Sequence, residues 1–110
     1  MKVLLDHNIP QPLRREFPAR YDVRTAEYMG WQALENGDLI EAVASEAFDA
    51  FLTGDTNLYF QQNLSGRSFG VMTIRTKTSN EQKIFEKLLP DIIEALPRVA
   101  AGRDLCVFER

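Results

Sequence analysis

The sequence is short of the residues on which several kinds of site depend. Cys106 is the only cysteine among 110 residues, which excludes an intramolecular disulfide and favours a reducing compartment. His7 is the only histidine, so one chain cannot build a zinc site from several histidines. No apolar run approaches the ~20 residues that span a bilayer, and the start of the chain, MKVLLDHN, has too few apolar residues for a signal peptide. We therefore predict a cytoplasmic protein that is not in the membrane.

Charge and composition narrow the class of protein further. The net charge of −3 weighs against a protein whose whole surface binds nucleic acid. It still allows a local basic patch, and it allows acids to cluster where a metal ion neutralises them. With 45% hydrophobic and 26% charged residues, the chain has the composition of an ordinary globular protein. Its length predicts one domain that spans residues 1–110.

Short apolar segments alternate with helical patterns along the chain. Strands are predicted at 3–5, 21–25, 50–53, 70–74 and, as an edge strand, at 105–108. Helices are predicted from an Asn8 cap to about Phe17, from a cap at Asn36 or Asp38, and after a capping box at Ser79. Pro90 is expected to kink or divide the last helix. This alternation predicts an α/β fold with a mainly parallel sheet of about four to five strands.

Three aspartates are predicted to meet at the carboxyl edge of this sheet. Asp6 ends the first strand, Asp55 follows the third, and Asp38 begins a helix. Ligands of parallel sheets bind at that edge, and Mg²⁺ or Mn²⁺ prefers hard oxygen ligands and can activate water against a phosphodiester. Each aspartate taken alone is also typical of a turn or, at Asp38, of a helix cap. The residues themselves therefore predict either a hard-metal site or separate structural aspartates.

Four segments of the sequence resemble the motifs of PIN-like domains. LLDHNIP resembles the opening motif, an apolar strand followed by Asp-x-Asn, and FDAFLTGDTNL resembles the second motif, a strand that ends in Thr/Ser-x-Asp. NGDLIEAVASEAFD resembles the intervening helix that begins with an acid, and QQNLSGR is typical of a small stand-alone branch found near toxin–antitoxin modules. The likeness covers roughly residues 1–75. It implies a PIN-like, three-layer α/β/α domain.

The resemblance also implies an activity, a metal-dependent ribonuclease that hydrolyses RNA phosphodiester bonds. Asp6, Asp38 and Asp55 match the positions of the catalytic residues, which would be ligands of Mg²⁺ or Mn²⁺. The family association implies a toxin component restrained by a cognate antitoxin protein. RNA and that antitoxin are therefore the expected partners, and a homodimer is a further possibility.

Three polar residues are expected to surround these aspartates. The resemblance implies that Thr53 orients a carboxylate through its hydroxyl, and that Asn8 does likewise or holds the loop after the first strand. Active members often carry a fourth acid where this chain has Asn57, and an amide brings no negative charge. A PIN-like module that binds RNA, metal or a partner without cleaving anything therefore stays open as an alternative.

Basic and aromatic residues supply candidate RNA contacts. The candidates are Arg14, Arg15, Arg20, Arg24, Arg67, Arg75, Lys77, Tyr28, Trp31 and Tyr59. The basic residues form either solvated faces or contacts to the phosphate backbone, which require only positive charge. The aromatic rings can stack on unpaired bases, or they can pack in the core or in a dimer interface.

Single residues open further interpretations. His7 can act as a general base or pack in the loop beside the site. Cys106 lies in a predicted apolar strand, which favours a buried structural thiol over a nucleophile. Asp55 would be the phosphate acceptor if the chain were a response-regulator receiver. Receivers have adjacent acids after their first strand, whereas His7 and Asn8 follow Asp6 here, so that interpretation is disfavoured.

Overall fold

Five strands form a single parallel sheet. The structure is a computed structural model that describes residues 1–34, 36–54, 67–77, 82–99 and 104–109. The strands are β1 (Lys2–Leu5), β2 (Asp22–Thr25), β3 (Ala50–Thr53), β4 (Gly70–Arg75) and β5 (Asp104–Phe108). Every strand pair is parallel, and the order is β2-β1-β3-β4-β5. The predicted α/β fold with a mainly parallel sheet is confirmed.

Burial explains why these short apolar segments form strands. β3 is buried along its whole length, and β4 is buried from Gly70 to Ile74, as expected for central strands of a parallel sheet. β2 and β5 lie at the two edges of the sheet and keep exposed residues. The direction in which successive strands are added reverses between β1 and β3. Ligands of open parallel sheets bind at such a switch point.

The described residues between strands form helices of two kinds. The α-helices are α1 (Asn36–Ser45) and α2 (Gln82–Ala95), and the 3-10 helices are Gln11–Glu16 and Leu96–Arg98. α2 continues through Pro90, so the predicted division of this helix is wrong. The predicted capping box at Ser79 lies outside the described residues. Among the described residues, no helix is long and apolar enough to cross a membrane.

The first predicted helix differs from the expectation. Residues Gln11–Glu16 form a 3-10 helix with Pro10 at the N-cap position and no side-chain cap. Asn8 does not cap it, because the Asn8 side-chain oxygen instead accepts a hydrogen bond from the Gly54 N–H at 3.0 Å. A contact between distant parts of the chain therefore overrides the local capping pattern.

Alternation along the strands sorts their side chains into two apolar clusters. The cluster that contains Leu4 and Phe51 also contains residues of α1. The cluster that contains Leu5 and Leu52 also contains residues of α2 and of the first 3-10 helix. Successive side chains of a strand point to opposite faces, so Asp6 follows Leu5 onto the face of Leu4 and α1. This alternation decides which helix the candidate acid faces.

Cys106 is exposed, so the prediction of a buried thiol is wrong. The reason is that successive side chains of this edge strand point alternately to a covered face and to an exposed face. Val107 is buried and Leu105 is half-buried, and both pack with the cluster that contains α2, whereas Cys106 and Phe108 point to the other face and are exposed. An apolar sequence alone does not reveal which face of an edge strand is covered.

Candidate functional site

Asp6 lies directly after β1 and is buried, with 4% of its surface exposed. Its backbone N–H donates to Leu52 O at 2.9 Å, which fixes the residue beside the end of β3. Thr53 is fully buried and donates through Oγ1 to Asp6 Oδ2 at 2.7 Å. Because a buried carboxylate without hydrogen bonds is costly, the Thr53 hydroxyl both stabilises and orients Asp6.

The other oxygen of Asp6 faces His7. Asp6 Oδ1 accepts a hydrogen bond from the His7 backbone N–H at 2.8 Å, and His7 Nδ1 lies 2.9 Å from the same oxygen. A carboxylate oxygen has about two acceptor positions. Oδ1 therefore has two nitrogen neighbours, whereas the described residues supply Oδ2 with the Thr53 hydroxyl and leave its second acceptor position open. The His7 side chain is 54% exposed, so its ring lies at the surface beside this carboxylate.

Asn8 joins the loop after β1 to the loop after β3. The Gly54 N–H donates to Asn8 Oδ1 at 3.0 Å, and a Cβ added at Gly54 would lie 3.5 Å from Asn8 Cγ and Oδ1. Of the two roles considered for Asn8, this contact fits the one that holds a loop. Asp55 follows Gly54 directly in the chain but lies outside the described residues, as does Asn57.

Asp38 is exposed in the first turn of α1. α1 follows β2 and therefore begins at the carboxyl edge of the sheet, and its apolar side belongs to the cluster on the face of Asp6. The topology thus places Asp38 and Asp6 at the same edge and on the same side of the sheet. Within the described ranges, which omit Asp55, no three histidine, cysteine or acidic residues are grouped so as to hold a metal ion.

Glu27 is an acid at this edge that sequence reasoning missed. It lies in the turn after β2, where the Ala26 N–H donates to Leu5 O at 2.9 Å and so joins the turn to the end of β1. Glu27 Oε2 is buried and accepts no hydrogen bond from the described residues, which is rare in native proteins. The surrounding segment has no helical or strand period, so the only signal in the sequence was an acid shortly after a strand.

A cleft beside β2 combines arginines with an exposed aromatic ring. It is lined by Arg14, Asp22, Val23, Arg24 and Tyr28. Tyr28 is 73% exposed, so its interpretation as a core residue is wrong. Arg24 donates to the Asp22 carboxylate from Nε at 3.3 Å and from Nη2 at 3.2 Å. The sequence did not reveal the cleft, because Arg14 and Tyr28 lie on different elements.

Trp31 and two of the arginines do not line the cleft beside β2. Trp31 packs edge-to-face against Phe48, with ring centroids 6.0 Å apart, and lies against the apolar cluster of α1, which confirms its interpretation as a packing residue. Arg67 pairs with Glu41 at 2.7 Å, and Arg20 lies over its neighbouring tyrosine ring. Tyr59 lies outside the described residues.

The other basic candidates are exposed. Arg15 is exposed in the last turn of the first 3-10 helix. Arg75 ends β4, and its guanidinium lies 5.5 Å from the centre of the Phe108 ring. Lys77 is exposed, and its backbone N–H donates to a Glu109 carboxylate oxygen at 2.6 Å. Arg75 and Lys77 therefore lie at the carboxyl edge of the sheet, two strands away from Asp6.

No protein-family model, no curated protein and no solved structure matches the chain. The PIN-like resemblance stays a prediction that depends on the sequence motifs. What the chain does is therefore argued from Asp6 and its surroundings.

Proposed function

We propose that the chain is a PIN-like, Mg²⁺- or Mn²⁺-dependent ribonuclease that hydrolyses RNA phosphodiester bonds. The Asp6 carboxylate is the observation that carries this proposal. It is buried and held by Thr53 on one oxygen and by His7 on the other, and the described residues leave an acceptor position open on Oδ2. It lies at the edge where ligands of parallel sheets bind. Because its hydrogen bonds already fix its orientation, such a carboxylate can bind a ligand without reorienting.

Asp6, Asp38 and Asp55 would hold the metal ion through their hard oxygen donors. A bound ion would supply positive charge for the reacting phosphate and would make an attacking water more acidic. The chain's own contribution is to fix the donors. The Thr53 hydroxyl sets the direction of the Asp6 carboxylate, and Asn8 holds the chain at Gly54, one residue before Asp55. We further propose a toxin-type role in which a cognate antitoxin protein restrains the activity.

We assign the binding of single-stranded RNA to the cleft beside β2. Arg14 and Arg24 supply positive charge for phosphate groups, and the exposed Tyr28 ring offers a surface on which a base can stack. The hydrogen bond between Ala26 and Leu5 joins the Tyr28 turn to the end of β1. In the proposed complex, an RNA strand bound in the cleft continues along this turn towards Asp6.

Wild-type protein is expected to cleave RNA only when a divalent cation is present. The assay uses a panel of single-stranded and structured RNAs that includes tRNA, with Mg²⁺ or Mn²⁺. Added EDTA should stop cleavage, and an excess of either cation should restore it, because the proposed site requires a metal ion. Cleavage that EDTA does not affect, or no cleavage of any RNA in the panel, contradicts the proposal.

Tyr28→Ala and Arg14→Ala are expected to weaken RNA binding more than they slow the chemical step. Loss of a stacked base costs about 1–3 kcal/mol, which corresponds to a rise in KM of roughly 5- to 150-fold. Steady-state kinetics on the best substrate of the panel measure KM and kcat separately. Lys83→Ala removes an exposed charge on α2 and serves as the control. An unchanged KM in both cleft variants would show that RNA does not bind in this cleft.

A non-cleaving PIN-like module that binds a partner is the alternative, and Asn57 favours it because an amide stands where active family members often carry a fourth acid. Fewer carboxylates hold a divalent ion less tightly. RNA binding without cleavage, or a stable complex isolated from the native cell, would support this second function.

A further inference from the structure

β5 is an edge strand that lacks proline and basic residues. β4 pairs with one side of it, and no described strand lies on the other side. Its sequence, DLCVF, contains no proline and no basic residue, although proteins commonly use these to protect an edge. Phe108 is 54% exposed. A groove runs along this edge between β5 and α2, and its lining includes Asp91, Glu94 and Arg98.

The backbone N–H and C=O groups of β5 point either to β4 or to the free edge of the sheet. The Glu109 N–H donates to Arg75 O at 2.8 Å. Alternate residues of a strand direct their N–H and C=O groups to opposite sides, so the odd-numbered residues of β5 bond to β4 as Glu109 does. The even-numbered residues, Asp104, Cys106 and Phe108, therefore direct their N–H and C=O groups to the free edge.

We propose that a second copy of this chain pairs along β5 in antiparallel orientation, with the two-fold axis at Cys106. This axis sets Cys106 opposite Cys106 of the second copy, and Asp104 opposite Phe108. Each of these residues has outward-directed backbone groups, so every opposed pair can exchange two N–H···O hydrogen bonds. If the axis were shifted by half a residue, each residue whose backbone groups point to the free edge would lie opposite one whose groups point to β4. The hydrogen bonds between the two copies would then be lost. The pairing joins the two sheets into one and covers the β5 edge of each copy.

Charges match under the same two-fold axis. Because the Arg75 guanidinium lies over the Phe108 ring, Arg75 of one copy comes close to Asp104 of the other. On the opposite face, the axis reverses α2 and the 3-10 helix that follows it, so Arg98 of one copy approaches Asp91 of the other. Both sets of contacts place opposite charges together, which favours self-association over binding of an unrelated strand. This inference is independent of the proposed nuclease activity.

Cys106→Pro tests the pairing while leaving the bonds between β4 and β5 in place. Proline removes the Cys106 N–H, which points to the free edge, and edge strands tolerate proline at such positions. The matched control, Cys106→Ser, keeps the N–H. Sedimentation or light scattering over a concentration series should show a dimer for wild type and Cys106→Ser. For Cys106→Pro, the dissociation constant should rise at least about tenfold, since each lost hydrogen bond is worth about 1 kcal/mol.

Cross-linking of the wild-type protein provides a second test that does not depend on how the proline variant folds. Opposed residues in an antiparallel pair have Cα atoms about 5.5 Å apart, so a short bifunctional maleimide should join the two Cys106 thiols. Partial desolvation by neighbouring atoms, which Arg75 partly offsets, raises the pKa of the exposed Cys106 thiol, so labelling is carried out at mildly alkaline pH. A wild-type protein that stays monomeric, or a dimer that the maleimide does not join, overturns the proposal.

Discussion

Asp6→Asn is expected to lower the rate constant of RNA cleavage roughly 100-fold or more. The amide removes the negative charge on which metal binding depends, and a loss of about 3 kcal/mol of transition-state stabilisation corresponds to this factor. Single-turnover cleavage of the best RNA substrate, at a saturating concentration of Mg²⁺ or Mn²⁺, measures the effect. The fold should persist, because asparagine has nearly the shape of aspartate. Its oxygen can accept from the His7 N–H, and its amide group can donate to Thr53 Oγ1.

Two further variants test whether the loss of activity is specific to the proposed metal site. Asp55→Asn should lose activity to a similar extent, because the proposal assigns Asp55 to the same metal ion. Asp49→Asn is the matched control, since Asp49 lies just before β3 at the opposite edge of the sheet, where its carboxylate accepts from the Lys2 N–H at 2.8 Å. It should retain wild-type activity. Cleavage by Asp6→Asn and Asp55→Asn at the wild-type rate would rule out the proposed mechanism.

Thr53→Val is expected to reduce both stability and activity. Valine has nearly the shape of threonine but cannot donate to Asp6 Oδ2, so the buried carboxylate loses its hydroxyl partner. We expect the free energy of unfolding to fall by about 1–3 kcal/mol. Cleavage or metal affinity should fall roughly 10- to 100-fold, as is usual when a group that orients a metal ligand is removed. Urea unfolding and the single-turnover assay measure the two effects.

Thr53→Ser separates the hydroxyl from the methyl group. Serine keeps the donor but loses a buried methyl, at a cost of about 0.8 kcal/mol. If the hydroxyl orients Asp6, Thr53→Ser should be less stable than wild type yet retain most of the cleavage activity. Equal loss of activity in the valine and serine variants would mean that packing at Thr53, and not its hydrogen bond, is what matters.

Local sequence patterns were sufficient to place the strands that support the candidate site. The run VLL before Asp6 and the run AFLT before Gly54 are short, apolar and followed by polar residues, which is how buried parallel strands end. The rule that such strands carry ligands at their carboxyl ends then predicted the edge at which Asp6 would lie. Contact between Asp6 and Thr53 depends additionally on the pairing of Leu5 with Leu52. Periodicity does not determine that register.

Contacts between distant segments explain what sequence reasoning could not predict. Asn8 fits a local capping pattern, yet Gly54 occupies its side-chain oxygen from 46 residues away. Tyr28 is as apolar as many core residues but lies in a turn that exposes it. Glu27 has a buried carboxylate oxygen, and no local pattern signals that burial. None of these properties is determined by the local sequence alone.

The separation of Asp6 and Thr53 along the chain determines when the site can first exist. The two residues are 47 positions apart, and parallel strands such as β1 and β3 must be joined by a crossover before they can pair. Contacts between distant residues form slowly, because the intervening chain must first be ordered. During synthesis, the Asp6 carboxylate of a nascent chain therefore lacks its Thr53 hydrogen bond until β3 has left the ribosome and paired with β1. For an enzyme that would cleave RNA, this delay keeps the unfinished chain harmless to the ribosome that makes it.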